Sequence, residues 1–197
     1  YIEDRLERSI LTNAKADLLV YGMAERQILE IATRLSAGEC VSGLTDIAGV
    51  AWRAIGGLCP PQEAIRLPSF EDLQKNIELF MTAQLEYQKQ AWPGGRPAIQ
   101  SQGGESVVIN PPAQSLTEEQ MDALYDLSFT RIWHPKYDSQ GGIAALKPVQ
   151  FSITTHRGCF GGCSFCSIYF HQGKEISSRS TSSILREAEL IAAHPDF

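Results

Sequence analysis

Cysteine occurs three times within eight residues, in Cys159-Phe160-Gly161-Gly162-Cys163-Ser164-Phe165-Cys166, and no other feature constrains this chain as much. The C-x-x-x-C-x-x-C spacing supplies three thiolates, which are soft ligands for iron–sulfur clusters or zinc. A stretch that presents three sulfurs from one side is a loop wrapped around what it binds. Gly161 and Gly162 permit that wrapping, because without Cβ atoms they reach positive φ and let backbone amides approach bound sulfides. An electron-transfer cluster ordinarily takes four cysteines. Three leave one iron without a protein ligand and open to a substrate or cofactor. Phe165, just before the last cysteine, gives the site an aromatic wall.

The flanks extend the pattern. Val149, Phe151 and Ile153 alternate with polar residues, which predicts a strand over residues 148–154. Ser180-Thr181-Ser182-Ser183 offers hydroxyl N-caps to a helix through Ile184-Leu185-Arg186-Glu187-Ala188-Glu189-Leu190-Ile191. Strand, ligand loop and helix in that order form a β/α unit, which carries its reactive groups at the C-terminal end of the strand.

On these residues the chain resembles the radical S-adenosylmethionine (SAM) enzymes, whose signature is C-x-x-x-C-x-aromatic-C after the first barrel strand. Wider strings are similar to segments of the YgiQ-type radical SAM proteins, among them Arg8-Ser9-Ile10-Leu11, Leu67-Pro68-Ser69-Phe70, Asn110-Pro111-Pro112, His134-Pro135 and His171-Gln172-Gly173-Lys174. Their order and spacing cover all 197 residues. The resemblance implies that Cys159, Cys163 and Cys166 hold three irons of a 4Fe-4S cluster, with Gly161 and Gly162 against it. It also implies that the fourth iron chelates SAM and that Phe165 lies beside the adenine. The reaction implied is reductive cleavage of SAM to a 5′-deoxyadenosyl radical that takes hydrogen from an unknown substrate, with an electron donor such as flavodoxin or ferredoxin as partner. Arg179, and less so Arg157 and Lys174, is a candidate for the SAM carboxylate or a substrate anion, since guanidinium groups match carboxylates bidentately. Each is equally readable as a solvated loop charge. No general acid or base can be named.

Two other readings of the cysteines stand beside this one. His156 or His171 could complete a closed Cys₃His zinc site, although structural zinc motifs usually come as two separated ligand pairs. A non-catalytic iron–sulfur electron carrier is disfavoured by the count of three. Cys40 and Cys59 lie among small and apolar residues and read as ordinary buried or half-buried thiols.

The rest of the chain predicts an α/β fold in three parts. Residues 1–57 read as the C-terminal edge of a Rossmann-like, cobalamin-binding-like domain: residues 16–22 form a short strand ending at Gly22, and residues 25–35 a helix. The turn at Val20-Tyr21-Gly22-Met23-Ala24-Glu25 resembles that of cobalamin-dependent radical SAM proteins. The histidine motif by which such domains hold cobalamin is not in this sequence, which weighs against bound cobalamin. Residues 58–147 read as a mixed α/β connector. It contains a helix from Ser69 to about Gln90 with Phe70, Leu73, Ile77, Phe80, Met81 and Leu85 on one face, a strand at residues 106–110, and a helix capped by Thr117 and Gln120. Residues 148–197 read as the first β/α unit of a partial TIM barrel, so the chain is expected to be an internal piece of a longer protein. Gly103-Gly104-Glu105 imitates a SAM-binding motif of the family, but it precedes the barrel's first strand and reads as a glycine turn.

With 43% hydrophobic and 20% charged residues the composition is that of an ordinary soluble protein,. No apolar run reaches the roughly 18 residues of a membrane span, and Tyr1-Ile2-Glu3-Asp4-Arg5 is charged where a signal peptide would be apolar. A cytoplasmic location is the expectation. The net charge of −6 argues against bulk nucleic-acid binding,.

Overall fold

A computed structural model describes residues 5–197, and its contacts divide the chain into two units, the first ending at Gln114 and the second Ser115–Phe197. The charged start, Tyr1-Ile2-Glu3-Asp4, lies outside the described residues. Both units mix helix and strand, so the fold is α/β as the sequence predicts.

The first unit is built on one sheet with strands β1 (Leu18–Val20), β2 (Val50–Ala54), β3 (Ile65–Arg66), β4 (Ala98–Gln102) and β5 (Glu105–Ile109), in the order β1-β2-β5-β4-β3. Only β3 and β4 pair in parallel. The sheet takes strands from both sides of residue 57, so residues 18–109 share one hydrogen-bonded layer. Its central strands are buried on both faces. Ala51 and Val107 meet Leu11 on one side, while Trp52 and Val108 meet Ile99 on the other, as a period of two requires,. Leu44, Ile47 and Val50 form a third cluster with Ile31 against it.

Gly103 and Gly104 make the two-residue turn between β4 and β5, both at positive φ (58° and 88°). That is the backbone a tight hairpin of this twist demands. Glu105 faces β2 and takes two hydrogen bonds from the Arg53 guanidinium, at 3.0 and 2.7 Å, which hold its carboxyl below the usual carboxylate range. The glycine-turn reading of this motif therefore holds.

Asn110 closes the sheet. Its buried amide nitrogen donates to the carbonyls of Thr45 and Ile47, both at 2.8 Å, and its oxygen accepts from the Trp52 indole at 3.4 Å. Its own carbonyl accepts from the hydroxyl of Tyr21, whose burial pushes the phenol pKa far up. Asn110→Ala would orphan two carbonyls and an indole N–H. With roughly 1–3 kcal/mol lost per unsatisfied buried group, we expect a loss of at least about 2 kcal/mol by urea unfolding of the full-length protein followed by tryptophan fluorescence. A change within about 0.5 kcal/mol, the range of neutral surface substitutions, would show that the network contributes nothing.

Helix α1 (Ile10–Ala14) precedes β1, and α2 (Glu25–Ser36) follows it over the predicted range. Most apolar residues of α2 are exposed; Ile31 packs on the core beside it and Gln27 is buried. The helix expected from Ser69 to Gln90 is two helices, α3 (Phe70–Lys75) and α4 (Glu78–Gln88). Ser69 and Asp72 form the expected capping box. Asn76 then leaves helical geometry (φ −140°, ψ 98°), and its side-chain oxygen accepts from the Glu78 N–H at 3.0 Å. Asparagine competes for backbone hydrogen bonds in this way, and a break costs it little. The break also splits the predicted apolar stripe: Phe70 and Leu73 are buried, whereas Ile77, Phe80, Met81 and Leu85 are exposed.

In the second unit, α5 (Glu118–Tyr125) begins with the reciprocal cap of Thr117 and Gln120. Residues 132–148 form an irregular connector with two short 3₁₀ turns. A two-stranded antiparallel ladder, β6 (His156–Arg157) with β7 (Ser177–Ser178), then brackets α6 (Ile168–Gln172) and leads into α7 (Thr181–Ala192). The predicted strand at residues 148–154 is not a paired strand. Residues 147–151 turn, and residues 152–155 run without a ladder partner. Strand alternation marks residues able to pair, but a ladder also needs a neighbour, and here side chains take that place.

Candidate cysteine-loop site

The ladder of β6 and β7 closes the cysteine loop at its base, with Arg157 opposite Ser177 and His156 opposite Ser178. Two further bonds tighten the neck: Cys159 N–H donates to the Gly173 carbonyl at 3.0 Å, and Gly158 N–H to the side-chain oxygen of Gln172 at 3.2 Å. Gly158 sits at φ 93°, where a Cβ would come within 2.8 Å of the Glu175 carbonyl carbon. Glycine is required there twice over, by conformation and by space.

Inside the loop, Cys166 N–H donates to the Cys163 carbonyl at 3.0 Å, making a turn between the second and third cysteines. Cys159 and Cys166 are half-buried and Cys163 is exposed, and none is in a disulfide; Cys40 and Cys59, expected to be buried or half-buried, are exposed, because both lie in loops outside the sheet's core. A Cβ on Gly161 would stand 3.5 Å from the sulfurs of both Cys159 and Cys163, so the bare glycine leaves an open cradle between them. Gly162 takes positive φ (58°) with nothing near its missing Cβ. These are the features that let a backbone wrap around a cluster, and the donor set is the soft one an iron–sulfur group takes. The donor set fits that group in chemistry and the bare glycines leave room for it, but the sulfurs are not drawn together around a common point. Among the described residues, no three His, Cys, Asp or Glu side chains stand close enough together to hold a metal ion. That holds equally for a Cys₃His arrangement. His156 Nδ1 is 2.9 Å from the Thr155 hydroxyl, and His171 lies in the last turn of α6.

Phe165 is 91% exposed and Phe160 83%, so both rings stand free of the loop's own packing. Lys174 lies over the Tyr169 ring with its nitrogen 5.1 Å from the centroid. Arg157 donates to the Tyr125 hydroxyl at 3.2 and 3.3 Å.

Arg179 has a different role from the one its sequence position suggests. Its side chain is 0% exposed. The five N–H groups of its guanidinium are occupied by the Thr154 carbonyl, the Ser183 carbonyl and hydroxyl, and the Glu187 carboxylate. Its plane lies 4.4 Å from the centroid of the Tyr125 ring. No donor of Arg179 remains for an added carboxylate. Arg179 instead braces the segment that enters the cysteine loop, and its backbone N–H adds a bond to the Thr155 carbonyl at 3.0 Å.

Glu187 and Arg131 complete this brace, and sequence reasoning missed both. Glu187 accepts from Arg179 and from Arg131, and Arg131 also reaches the carbonyls of Gln150 and Ser152, at 3.0 and 3.4 Å. Carbonyls at alternate residues, Gln150, Ser152 and Thr154, are thus held by two guanidiniums where a neighbouring strand would hold them. The signal was present in α7. Ser183, Glu187 and Ile191 recur every four residues on its buried face, while Leu185 and Leu190 are exposed. A carboxylate in a buried stripe calls for a cation.

Comparison with known proteins agrees with this picture at the level of the family. A family model described as Radical SAM N-terminal matches residues 1–152. The cysteine loop follows that span and lies within the span of the relatives. A UPF0313 protein of Clostridium botulinum is 39% identical over 198 residues, covering 100% of this chain and 31% of its own length. UPF0313 proteins of Geobacter sulfurreducens and Methanocella arvoryzae are each 44% identical, over 98% and 100% of this chain and 32% and 33% of their own lengths. The chain therefore spans about a third of the length of the curated relatives it matches. No solved structure matches. Among the described residues, no helix is long and apolar enough to cross a membrane.

Proposed function

Because the chain belongs to the radical SAM N-terminal family, we propose that the full-length protein is a radical SAM enzyme in which Cys159, Cys163 and Cys166 hold three irons of a 4Fe-4S cluster and the fourth iron takes SAM. The observation that carries the reading is the cradle at Gly161, open between the sulfurs of Cys159 and Cys163 on a loop whose neck is closed by backbone bonds. When bound, the reduced cluster and SAM supply a one-electron cleavage that ends in hydrogen abstraction from a substrate and release of 5′-deoxyadenosine.

The chain's own residues do the rest. Gly158 and the Cys159 N–H hold the loop against Gly173 and Gln172, so the three thiolates start from a fixed base. Gly161 and Gly162 keep side chains out of the space a cubane occupies. Phe165, exposed and adjacent to Cys166, is the ring available to stack on an adenine. Arg179 supports the loop from below through Thr154 and leaves recognition of the SAM carboxylate to other residues. The proposed setting is cytoplasmic, with a small reductase protein of the flavodoxin or ferredoxin kind as electron donor.

The test is anaerobic reconstitution of the full-length protein with iron and sulfide, reduction, and measurement of 5′-deoxyadenosine formed from SAM. We expect wild type to bind about four irons and form the product, and Cys163→Ala, which lacks one of the three protein ligands, to lose nearly all product. Stoichiometric zinc in the purified protein, with no SAM effect on the paramagnetic resonance spectrum of any iron bound, would overturn the reading.

A further inference from the structure

Helix α4 is apolar on two separate sides, and only one of them is packed. Leu79, Ala83 and Tyr87 recur every four residues on the inner side. Ala83 is buried, Leu79 and Tyr87 are half-buried, and the Tyr87 side chain is hydrogen-bonded to that of Tyr21. Ile77, Met81 and Leu85 recur in the same way on the outer side, with Phe80 beside them,. These four are 64%, 63%, 51% and 47% exposed, in that order. The two charged residues of the helix, Glu78 and Glu86, share a third, narrow strip with the exposed Thr82, and Lys89 pairs with Glu86 there at 2.6 Å. Gln84 and Gln88, which interrupt the outer apolar side, carry no charge.

A helix that faces water on its outer side puts charge where this one puts isoleucine, methionine and leucine. A helix apolar on more than one side belongs between two layers, for the same reason that one apolar all round belongs in a core. The unit itself supplies the first layer, against Ala83 and Tyr87. Among the described residues the second layer is missing. Apolar surface left in the open in this way is rare on soluble monomers and marks a place that something covers.

Length narrows what the cover is. Relatives that align with 100% of this chain, α4 included, devote only 31% and 33% of their own lengths to it. About two thirds of such a polypeptide thus lies outside the matched segment. A segment of the same molecule meets the face at an effective concentration of order millimolar when its linker is short, and a separate copy has no such advantage. We propose that the outer side of α4, formed by Ile77, Phe80, Met81 and Leu85, is an internal docking surface, covered in the full-length protein by the part of its own polypeptide outside these 197 residues. The covering face is apolar and uncharged, because a charge buried against these four side chains would find no counter-charge on them.

Thiol labelling of the full-length protein as purified tests this without regard to cluster loading. Met81→Cys and Thr82→Cys are each treated with iodoacetamide in the absence of denaturant, and modification is read peptide by peptide, so that the native cysteines do not interfere. Thr82, on the charged strip, reports an uncovered position of the same helix. Met81→Cys is expected to react at least about tenfold more slowly than Thr82→Cys, because the reagent reaches it only when the interface opens, and the slowing should be unchanged on dilution. Leu85→Cys gives the same reading where Met81→Cys does not fold. Equal rates at the two positions would overturn the assignment, since the face would then stand open to water. So would a slowing that disappears on dilution, which would make the cover a second copy of the protein.

Discussion

Gly158→Ala is expected to empty the cysteine loop without touching a cysteine. At φ 93° any other residue adopts a left-handed backbone at roughly 1–2 kcal/mol,. The added Cβ would in addition lie within 2.8 Å of the Glu175 carbonyl carbon and 3.3 Å of the Ile176 Cα. Both are backbone atoms on the opposite side of the neck, so neither can rotate away. Relief requires β6 and β7 to part, which breaks the Cys159 N–H bond to Gly173 and removes the base from which the thiolates are presented. The combined cost should exceed the ~4 kcal/mol that marks exceptional substitutions, more than a two-residue ladder can withstand. Iron bound after reconstitution should fall to the level of Cys163→Ala, and the amide of Cys159 should lose its protection from hydrogen exchange. Gly141→Ala is the control, for it lies outside the cysteine loop, shares the positive φ (81°) and meets nothing within 4 Å. It should retain most of its iron. Equal iron in the Gly158 variant and wild type would mean that the neck does not organise the loop.

The second large effect is expected at Glu187. This carboxylate, 9% exposed, is shared by guanidiniums whose side chains are 16% and 0% exposed. Glu187→Ala leaves two enclosed cations facing each other without a counter-charge, a change that costs about 3–5 kcal/mol in comparable buried pairs. The loss should appear in urea unfolding as a lower midpoint with an unchanged slope. Replacing the whole triad with Arg131→Met, Glu187→Leu and Arg179→Met should recover much of that stability, because apolar groups of similar size remove the desolvation cost along with the attraction. The recovered protein would still lack the grip on Gln150, Ser152 and Thr154, so its iron content should stay low. Full recovery of iron in the triple variant would show that the triad contributes charge balance and nothing to the loop.

The two arginines explain why part of the second unit was hard to read. Alternation at Val149, Phe151 and Ile153 is a property of neighbouring residues, and here it marks a segment that turns through residue 151 and leaves Val149 exposed. Whether that segment pairs with a strand or with side chains depends on what lies alongside, and the residues that do so, Arg131 and Arg179, are 19 or more positions from Gln150 and Ser152 and 25 from Thr154. The split between α3 and α4 was missed for a more local reason. Asn76 is compatible with a helix in a hydrophobic count, and only its hydrogen bond to Glu78 shows that it ends one.

What the sequence alone determined is the family and the local frame of the candidate site: the three cysteines, the glycines beside them, the caps at Ser69, Thr117 and Ser180, and the helix that follows Gly22. Each rests on residues a few positions apart, where spacing and backbone preference carry the information. Tertiary structure alone decided the rest. It enclosed Arg179 rather than presenting it, paired it with Glu187 across the start of α7, and drew strands from residues 18–109 into one sheet. It also made Gly158 the close contact of the site through Glu175, and left Ile77, Phe80, Met81 and Leu85 outside the core that takes Phe70 and Leu73. Burial, charge pairing and steric overlap depend on distances between residues far apart in the chain, and those distances exist only once it has folded.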